Sequence, residues 1–453
     1  MSTPDPTRVV VTGIGAVTPF GVGRDALLEG LRSARSTART LPGREGDEAV
    51  RPFACPVDDA KFDPTQSLAQ RKSIKLMSRA TTFAVAAAAL ALDDARLRGR
   101  LDDPARAGVV LGTGGVGLHD ADYLATMLEV SGELIEGRPR SPEPGGGAST
   151  SAVAVAPGID LLDLAARHMN PLTPLKLLPN MAAAHVAIEQ GLRGENLTVC
   201  TACTSGTQAV GEAVRLLRLG RADVMLAGGT DAMINPMGLI GFSLLGVLSR
   251  RFDDPVRAAR PFDLDRDGFV MGEGAAILVL ETAAHAVGRG ARILAEIAGY
   301  ASCSDAYRVT DEREDGSGCV QAIRGALADA AVRPADVDYV NAHGTGTLMN
   351  DRTEVRALRE VLGAHLDRVP VSSTKSQIGH LIAAAGAVEL AACVLALEHQ
   401  FLPPTINYET PDPECAIDVV PNVSRPAAIR TVLSNSFGFG GQNACLVVRG
   451  WDV

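Results

Sequence analysis

Aromatic residues are scarce in this chain: they make up 4% of its 453 residues, and Trp occurs only once. The chain therefore has little material for stacking nucleic-acid bases, and its formal net charge of −10 also argues against nucleic acid as a partner. No uninterrupted apolar run approaches the roughly 18 residues of a transmembrane helix. The first residues also lack a basic segment followed by an apolar run. We therefore expect neither a membrane span nor a secretory signal.

The eight cysteines do not follow the regular spacing of a disulfide framework. In a chain of this length, scattered cysteines favour free thiols and a reducing, cytoplasmic location. Hydrophobic residues make up 46% of the chain and charged residues 21%, which is an ordinary globular mixture. The length is ample for a large buried core.

Apolar, β-rich runs alternate with helical patterns along the chain, which predicts an α/β fold with buried strands. The predicted strands form two sets, 8–13, 107–112, 196–200, 222–228 and 270–280, then 293–298, 337–342, 369–373, 432–435 and 444–448. The predicted helices cover residues 78–93, 204–219, 319–331, 351–362 and 382–398. The similar composition of the two sets indicates two α/β halves that join near 285–292. We place the first half at 1–288 and the second at 289–453.

One segment, residues 136–155, is rich in Pro, Gly and Ser and poor in bulky side chains. It lies within a region, about 118–178, that we interpret as an insertion in the first half. A long loop of this composition is typical of a mobile surface loop or of a lid or docking element. A tolerated insertion without a role explains it equally well.

Cys203 lies between the β-branched run 196–200 and the predicted helix 204–219. This arrangement predicts a sharp strand-to-helix turn, where the N–H groups and the positive end of the helix dipole favour a thiolate. Cys200 and Cys203 also form a Cys-x-x-Cys pair, which is compatible with redox chemistry. A zinc site built from this pair with His343 and His380 is a further alternative, although the histidines lack the usual short spacing.

His343 and His380 are the two of the eight histidines that adjoin glycine at an apparent strand or loop end. The carboxyl ends of strands are where α/β sheets bind their ligands, so these two are candidate catalytic residues. Lys375 precedes His380 by five positions. It is suited to orienting or electrostatically tuning the site, and an ordinary ion pair with Asp351 or Glu354 is a compatible interpretation. One thiol and two distant imidazoles indicate covalent thioester chemistry.

Residues 435–441 contain three glycines over four positions and the two rings of Phe437 and Phe439. Glycine allows backbone N–H groups to approach a ligand closely, as an oxyanion hole requires. The two Phe rings are suited to gating an apolar channel. A second glycine-rich segment, 112–117, is superficially like a dinucleotide loop but lacks the acidic residue that follows in such sites.

Four short segments of the chain resemble β-ketoacyl-acyl carrier protein synthases in their order and spacing. They are 201–206, 341–347, Lys375 with 379–380, and 435–441. The resemblance is to the elongating, type II condensing enzymes of the thiolase-like superfamily. It covers nearly the whole chain, including residues 10–15 and 266–274. It implies a thiolase-like fold, in which two similar α/β halves pack as a five-layered α-β-α-β-α body.

The resemblance also implies a role for each matching residue. Cys203 is the nucleophile that accepts the acyl group, while His343 and His380 promote decarboxylation of a malonyl extender and stabilise the enolate. The resemblance further implies an oxyanion hole from the N–H groups of Cys203 and Phe439, and pantetheine binding by Thr345 and Thr347. It implies that an acyl pocket or gate is formed by Gly115, Phe242, Phe437 and Phe439. The implied supporting residues are Lys375, Asp351 and Glu354. No metal is implied, and no cofactor is bound permanently, because substrates arrive on the phosphopantetheine arm of acyl carrier protein.

The chain departs from the usual fatty-acid pattern in residues 347–351, in the length of the region before Cys203, and at Gly115. Many members have a bulky aliphatic residue at the position of Gly115, so glycine would widen the acyl pocket. These departures favour a dedicated polyketide or polyene pathway over housekeeping fatty-acid synthesis.

The implied partners are an acidic acyl carrier protein and a second subunit. The subunit is either another copy of the chain or a homologue that lacks the cysteine. Basic residues at near-helical spacing are a candidate docking surface for the carrier, although a solvated face explains them too: Arg71, Lys72, Lys75 and Arg79, with Arg138 and Arg140 as a second cluster.

The predicted function is decarboxylative Claisen condensation of an acyl group on Cys203 with malonyl-acyl carrier protein, which extends a fatty acid or polyketide by two carbons. A thiolase-type acyltransferase acting on CoA thioesters is the first alternative, with Cys445 as the only candidate for its second cysteine. A non-catalytic chain-length or scaffold subunit is the second alternative, but such subunits normally lack the nucleophile that this chain keeps.

Overall fold

The structure is a computed structural model that describes residues 7–42, 51–114 and 170–451. Gly115, the segment 136–155 and the arginines at 138 and 140 lie outside the described residues. The region 118–178 is described only from residue 170 onward.

Up to residue 288, the longest of the described strands are almost entirely buried, while several of the short ones are exposed. These strands are β1 (Val9–Thr18), β2 (Gly21–Val22), β3 (Arg39–Thr40), β4 (Phe53–Ala54), β5 (Ala107–Thr113), β6 (Asn196–Val199), β7 (Val224–Asp231) and β8 (Gly274–Thr282). The α-helices are α1 (Arg24–Ser33), α2 (Arg79–Asp94), α3 (Thr173–Leu177), α4 (Met181–Gln190), α5 (Ser205–Arg218), α6 (Pro236–Leu244) and α7 (Ala283–Gly288).

The remainder of the chain continues the same alternation. Its strands are β9 (Ala295–Ser304), β10 (Tyr339–Asn341), β11 (Val371–Ser372), β12 (Phe401–Leu402), β13 (Arg425–Pro426), β14 (Thr431–Gly438) and β15 (Gln442–Arg449). Its α-helices are α8 (Ser317–Asp329), α9 (Leu348–Leu362), α10 (Lys375–Ile378) and α11 (Ala385–His399).

Among the described residues, two sets of five strands share one topology. The order is β1-β8-β7-β5-β6 in the first set and β9-β15-β14-β10-β11 in the second, with β2 added beside β1. In each set, the first two pairings are antiparallel and the last two are parallel. The sets meet where β1 and β9 pair briefly. The two predicted α/β halves are thus present, while the residue at which they join stays a prediction.

Helices cover both faces of the strand sets and separate them, which gives the five layers. Helices α2 and α4 pack on the outer face of the first set, and α8 packs on the outer face of the second, with α9 beside it. Helices α5 and α11 lie between the sets, because α5 contacts β5, β7 and β15 while α11 contacts β8, β7 and β14. The predicted α-β-α-β-α body is therefore confirmed.

The central helix α11 is apolar on every side, as expected for a helix that is surrounded by protein. The segment Ile382–His399 is long and apolar enough to cross a membrane, but 89% of it is buried within the protein, as in a core helix. Helices α5 and α11 approach each other closely because glycine is the second residue of each. A Cβ atom on Gly206 would lie 2.9 Å from the backbone nitrogen of Ala387, and one on Gly386 would lie 2.0 Å from Oγ1 of Thr207.

Most predicted elements agree with the structure within a few residues. Two strands extend well beyond their predicted ends at 13 and 298, β1 to Thr18 and β9 to Ser304, and three further elements differ. The predicted strand 270–280 begins only at Gly274, and the predicted strand 369–373 shortens to Val371–Ser372. The helix predicted over 351–362 begins earlier, at Leu348. In the first case, residues 270–272 pair with the backbone of His380 instead of continuing β8.

Candidate active site

Cys203 occupies a tight turn between β6 and α5. The turn begins with Ala202, whose φ of 51° is unusual for a residue other than glycine. It is closed by Ser205, whose Oγ donates to the carbonyl of Ala202 at 2.7 Å and accepts from the N–H of Thr201 at 2.9 Å. The thiol is consequently held at a fixed position and is buried.

His343 follows β10 and is positioned by a carboxylate from α9. Glu354 accepts the backbone N–H of His343 at 2.9 Å and that of Gly344 at 2.8 Å. It also accepts from Nδ2 of Asn435 at 3.0 Å, which ties the glycine-rich turn of the second half to the same carboxyl. These three hydrogen bonds fix the loop that carries the first histidine.

His380 follows α10 and is anchored through its backbone to residues 270–272. Its N–H donates to the carbonyl of Val270 at 2.7 Å, and the N–H of Gly272 donates to its carbonyl at 2.9 Å. The imidazole stands edge-on to Phe269 at a centroid distance of 5.1 Å. It is also edge-on to the ring of His343, at 5.3 Å.

The structure brings the three residues together although they are distant in the chain. The Sγ of Cys203 and ring nitrogens of His343 and His380 all lie within 4.8 Å of one another. A single cation would fit this set of atoms by distance. Cys200 is exposed and is not part of the set, so the Cys₂His₂ zinc site considered from the sequence is not assembled.

Burial raises the pKa of the Cys203 thiol to about 12, although the charge of Lys375 and the N–H of Phe439 act in the opposite direction. The expectation of a resting thiolate is therefore wrong. The N–H groups at the helix start do favour the anion, but they do not compensate for the loss of solvation. The thiol must lose its proton when a substrate is attacked, and a neutral imidazole beside it is a suitable acceptor.

Burial lowers the pKa of both His343 and His380 well below the usual value, and the nearby charge of Lys375 lowers both further. Both rings are therefore neutral. Lys375 Nζ lies 3.3 Å from Nδ1 of His343 and donates to its carbonyl at 2.6 Å. Because an ammonium group has only donors, Nδ1 is the acceptor and the proton of the His343 ring resides on Nε2.

Lys375 forms its ion pair with Glu389 of α11. The predicted pairing with Asp351 or Glu354 is wrong, because those carboxyls have other partners. Asp351 accepts backbone N–H groups from Phe262 and Gly346, and Glu354 holds the His343 loop. Sequence analysis missed Glu389, although a Glu in an otherwise apolar, buried helix is itself a signal that a cation lies nearby.

The glycine-rich turn after β14 lies against the nucleophile. A Cβ atom on Gly438 would be 3.1 Å from the backbone nitrogen of Cys203. The N–H groups of Phe439 and of Cys203 both favour the negatively charged sulfur, so both are directed toward it. Two converging backbone N–H groups are the arrangement that an oxyanion hole requires.

A cavity of about 290 Å³ opens onto Cys203, His343 and His380. Five residues predicted to bind pantetheine or to form the acyl pocket line it: Thr345, Thr347, Phe242, Phe437 and Phe439. Phe242 stacks on Phe439 at 6.4 Å and meets Phe269 edge-on at 5.8 Å. Phe269, Glu312 and Asn350 also line the cavity and had not been predicted. Phe269 lies in the motif 266–274, which could have indicated it.

The predicted docking residues do not line this cavity. Arg71, Lys72 and Lys75 are exposed on the 3₁₀-helix Arg71–Leu76. Arg79 differs from them because it is half-buried and forms ion pairs with Glu273 and Asp59. Arg79 is therefore a structural residue, and its assignment to the docking surface is withdrawn.

Cys445, the candidate second cysteine of a thiolase, lies on β15 and is fully buried. It does not line the cavity that contains Cys203. The position of Cys445 therefore disfavours the thiolase alternative.

Comparison with known proteins gives consistent matches over the whole chain. Residues 6–286 match the family described as "Beta-ketoacyl synthase, N-terminal domain", and residues 294–409 match "Beta-ketoacyl synthase, C-terminal domain". The chain is 41% identical over 442 residues to 3-oxoacyl-[acyl-carrier-protein] synthase 2 of Synechocystis sp. (strain ATCC 27184 / PCC 6803 / Kazusa), covering 98% of both chains.

Two solved structures are similar throughout. The ishigamide ketosynthase/chain length factor matches with a TM-score of 0.83 and 34% identity, covering 98% of this chain and 99% of that one. A type II PKS acyl-carrier protein in complex with its ketosynthase bound to the hexaketide (AntDE:AntF, apo) matches with a TM-score of 0.82 and 35% identity, covering 99% and 100%.

Proposed function

The chain belongs to the β-ketoacyl synthase family, and from that membership we propose that it is a β-ketoacyl-acyl carrier protein synthase. As an acyltransferase, it condenses an acyl group on Cys203 with malonyl-acyl carrier protein, with loss of CO₂. The observation that carries the proposal is the placement of one thiol and two neutral imidazoles within 4.8 Å of one another.

In the first half-reaction, the Cys203 sulfur attacks the carbonyl carbon of an acyl thioester. A neutral imidazole takes the thiol proton, and the N–H groups of Cys203 and Phe439 stabilise the tetrahedral oxyanion. The intermediate then collapses, the bond to the pantetheine sulfur breaks, and that sulfur receives the proton. The product is acyl-Cys203.

In the second half-reaction, the bond between the malonyl α-carbon and its carboxylate breaks, and CO₂ leaves. The electron pair becomes an enolate, whose oxygen accepts hydrogen bonds from the rings of His343 and His380. The enolate carbon attacks the acyl carbonyl of acyl-Cys203, and the bond between that carbon and the Cys203 sulfur breaks. The departing thiolate takes up a proton from solvent, which restores the neutral thiol. Neutral rings suit this step because they stabilise the oxygen without readily protonating the carbon. Each such donor contributes roughly 3–4 kcal/mol when measured by deletion.

We propose that the substrates arrive on the phosphopantetheine arm of an acidic acyl carrier protein, and that no metal or cofactor is bound permanently. Thr345 and Thr347 are suited to hold the arm because they line the cavity beside His343. Exposed Arg71, Lys72 and Lys75 provide the positive charge that an acidic partner needs. The solved complex of a related ketosynthase with its carrier protein supports this partnership.

We also propose that the chain forms a dimer, either with itself or with a homologue that lacks the cysteine. In the described part of the chain, β6 is an edge strand that pairs only with β5, and Leu197 on it is 42% exposed. An exposed edge with an apolar side chain is suited to pairing with a second subunit. The eight free cysteines support the proposed cytoplasmic location.

The pathway is proposed to be one for a polyketide or a polyene. The support is the set of sequence departures at residues 347–351 and at Gly115. A related structure is a ketosynthase bound to the hexaketide. A fatty-acid pathway is the alternative, and a product profile with defined acyl carriers distinguishes them.

Mass spectrometry of the protein after incubation with an acyl-acyl carrier protein tests the proposed function. We expect one acyl group on Cys203, no label in Cys203→Ala, and normal labelling in the matched control Cys200→Ala. Absence of label from the wild-type protein would indicate a scaffold subunit. Labelling by acyl-CoA but not by the acyl carrier protein would indicate a thiolase-type enzyme.

A further inference from the structure

A polar cavity of about 400 Å³ lies at the end of the first strand set that is remote from Cys203. Val224, the first residue of β7, lines this cavity. Asp231, the last residue of β7, accepts the N–H of Ala383 in the turn that packs against the Cys203 turn. A strand of this length spans about 23 Å, so a small molecule in the cavity does not contact Cys203.

We call this space the arginine cavity, because cationic side chains dominate its wall. Its charged and titratable residues are Arg96, Arg100, Arg106, Arg289 and His285, together with Asp102, Asp103 and Asp223.

Two of the four arginines are already neutralised by carboxylates. Arg106 donates from Nε and Nη2 to the two oxygens of Asp223, at 2.5 and 2.8 Å. Arg289 donates from Nε and Nη2 to the buried Glu281, at 2.8 and 2.5 Å, and from Nη1 to the carbonyl of Ala95 at 3.0 Å. These two arginines therefore build the wall of the cavity and hold its acids in place.

Arg96 and Arg100 differ because both are exposed and neither forms an ion pair with a carboxylate of the described ranges. Of the two other acids in the wall, Asp103 accepts the N–H of Ala105 at 2.9 Å, and Asp102 is exposed to solvent. The guanidinium groups of Arg96 and Arg100 are consequently available to a ligand.

His285 adds a further donor to the same wall. Its Nδ1 lies 2.5 Å from Oε2 of the buried Glu281, so Nδ1 carries a proton and Nε2 is the nitrogen left for the cavity. The hydrogen bond to Glu281 raises the pKa of His285, and the charge of Asp223 acts in the same direction, while burial and Arg289 oppose them. When the ring is a cation, Nε2 is a second donor.

The turn that carries Arg96 does not itself require an arginine. Arg96 follows α2 with a φ of 58°, and the N–H of the next residue donates to a carbonyl five residues back at 2.8 Å. The same turn follows α8, where Ala331 has a φ of 51° and the corresponding hydrogen bond is 3.0 Å long. A cation at a helix C-terminus offsets the helix dipole, but α8 has the same dipole and carries alanine at this position.

We propose that the arginine cavity binds a phosphorylated small molecule, whose phosphate group is held by Arg96, Arg100 and His285. Guanidinium groups form paired hydrogen bonds with phosphate oxygens, and a phosphate accepts from several donors at once. The cavity is larger than a phosphate ion, and Leu97 and Leu101 provide apolar wall for an organic group. The proposal goes beyond the condensation reaction and does not depend on it.

Calorimetric titration of the full chain with pyrophosphate at low ionic strength tests the site. We expect Arg96→Gln/Arg100→Gln to bind pyrophosphate at least about ten-fold more weakly than the wild type, as the loss of charged hydrogen bonds implies. Arg430→Gln is the matched control, because this arginine is also exposed but does not line the cavity. The proposal is overturned if the wild type does not bind pyrophosphate, if the double variant binds it equally well, or if the control loses as much affinity.

Protection of arginines against phenylglyoxal locates the bound anion on the wild-type protein, without any variant. We expect pyrophosphate to slow the modification of Arg96 and Arg100 and to leave that of Arg430 unchanged, as read by peptide mass spectrometry. Pyrophosphate should also raise the Tm of the wild type and of Arg430→Gln, but not that of the double variant. Equal modification of Arg96 and Arg100 with and without pyrophosphate would contradict the assignment.

Discussion

At the scale of single residues, the pKa of the proposed nucleophile and the pKa values of the two histidines shift in opposite directions. Burial raises the pKa of Cys203 and lowers those of His343 and His380. The resting site is therefore a neutral thiol beside two neutral rings, with the Lys375–Glu389 ion pair behind them. Charge appears in this site only during the reaction, when the fixed N–H donors are in place to stabilise it.

Replacing His343 by Ala removes one donor to the enolate oxygen. We expect decarboxylation of malonyl-acyl carrier protein to slow by about 10²–10³-fold, the usual effect of deleting one oxyanion donor. His343→Asn keeps an N–H donor and should lose less. Release of labelled CO₂ measures the step directly, and an unchanged rate in His343→Ala would mean that the ring does not contact the enolate.

The ion pair between Lys375 and Glu389 has a testable energetic role. Lys375→Met leaves a buried carboxylate without a partner, which destabilises a protein by about 3–5 kcal/mol. The double variant Lys375→Met/Glu389→Leu should recover much of this loss, because neither charge then remains. Urea unfolding of the four members of the cycle gives the coupling, and additive losses would contradict the pairing.

The grouping of the three proposed catalytic residues was predictable from the sequence, whereas their ionisation was not. Cys203, His343 and His380 each adjoin glycine or small residues at an element boundary, and that pattern is visible in the chain. The pKa of Cys203 depends on how deeply the turn is buried, which only the packing of both halves determines. The partner of Lys375 was missed for the same reason, since Glu389 lies on a separate helix.

At the scale of elements, the turns before α5 and α11 have the same shape but different partners. Each begins with a residue of positive φ, Ala202 at 51° and Ile382 at 47°. In the second turn, the N–H of Ala383 donates to Oδ2 of Asp231 at 3.0 Å. In the first, the equivalent N–H belongs to Cys203 and is directed toward its own sulfur. In the proposed mechanism, the first turn thus serves catalysis and the second serves structure.

We predict that the stability of the protein depends on pH through the buried carboxyl group of Asp231. Burial raises its pKa to about 7, while in the unfolded chain it ionises near pH 4. Between these values the folded state keeps a proton that the unfolded state releases, so the free energy of unfolding should fall as pH rises from about 4 to 7. Asp231→Asn should flatten that slope in urea titrations, and an identical slope would show that Asp231 ionises normally.

Charge reversal on the 3₁₀-helix Arg71–Leu76 tests its role in docking. We expect Lys72→Glu/Lys75→Glu to weaken affinity for acyl carrier protein by about ten-fold at low salt and by less at high salt, because exposed charges are screened. Arg333→Glu is the control, since this arginine is exposed and does not belong to this 3₁₀-helix. Unchanged affinity at low salt would show that these lysines are only a solvated face.

Periodicity predicted the long elements well and the short ones poorly. Helices α2 and α11 are long and consistently apolar on their packing faces, so the pattern alone locates them. The pattern at residues 270–272 predicts a strand, but their backbone groups pair with His380, which the sequence does not reveal. The spacing of Arg71, Lys72 and Lys75 is nearly helical, yet the segment forms a 3₁₀-helix.

At the scale of the whole molecule, the active site depends on both halves. Cys203 comes from the first half, and both histidines and the Phe439 N–H come from the second. They meet because α5 and α11 pack side by side between the two strand sets. We therefore expect neither half to react alone. The duplicated topology was predictable from the repeated order of strands and helices, but the contact between α5 and α11 was not, since it depends on Gly206 and Gly386.

The most direct test of the account is the fate of malonyl-acyl carrier protein on the Cys203→Ala variant, followed by CO₂ release and product mass together. We predict that CO₂ is still released and acetyl-acyl carrier protein accumulates, because both imidazole donors remain, while no carbon–carbon bond forms. The account would be contradicted if the variant still yields β-ketoacyl product, or if decarboxylation stops along with condensation. Either result would mean that the thiol and the two rings do not have the separate roles proposed for them.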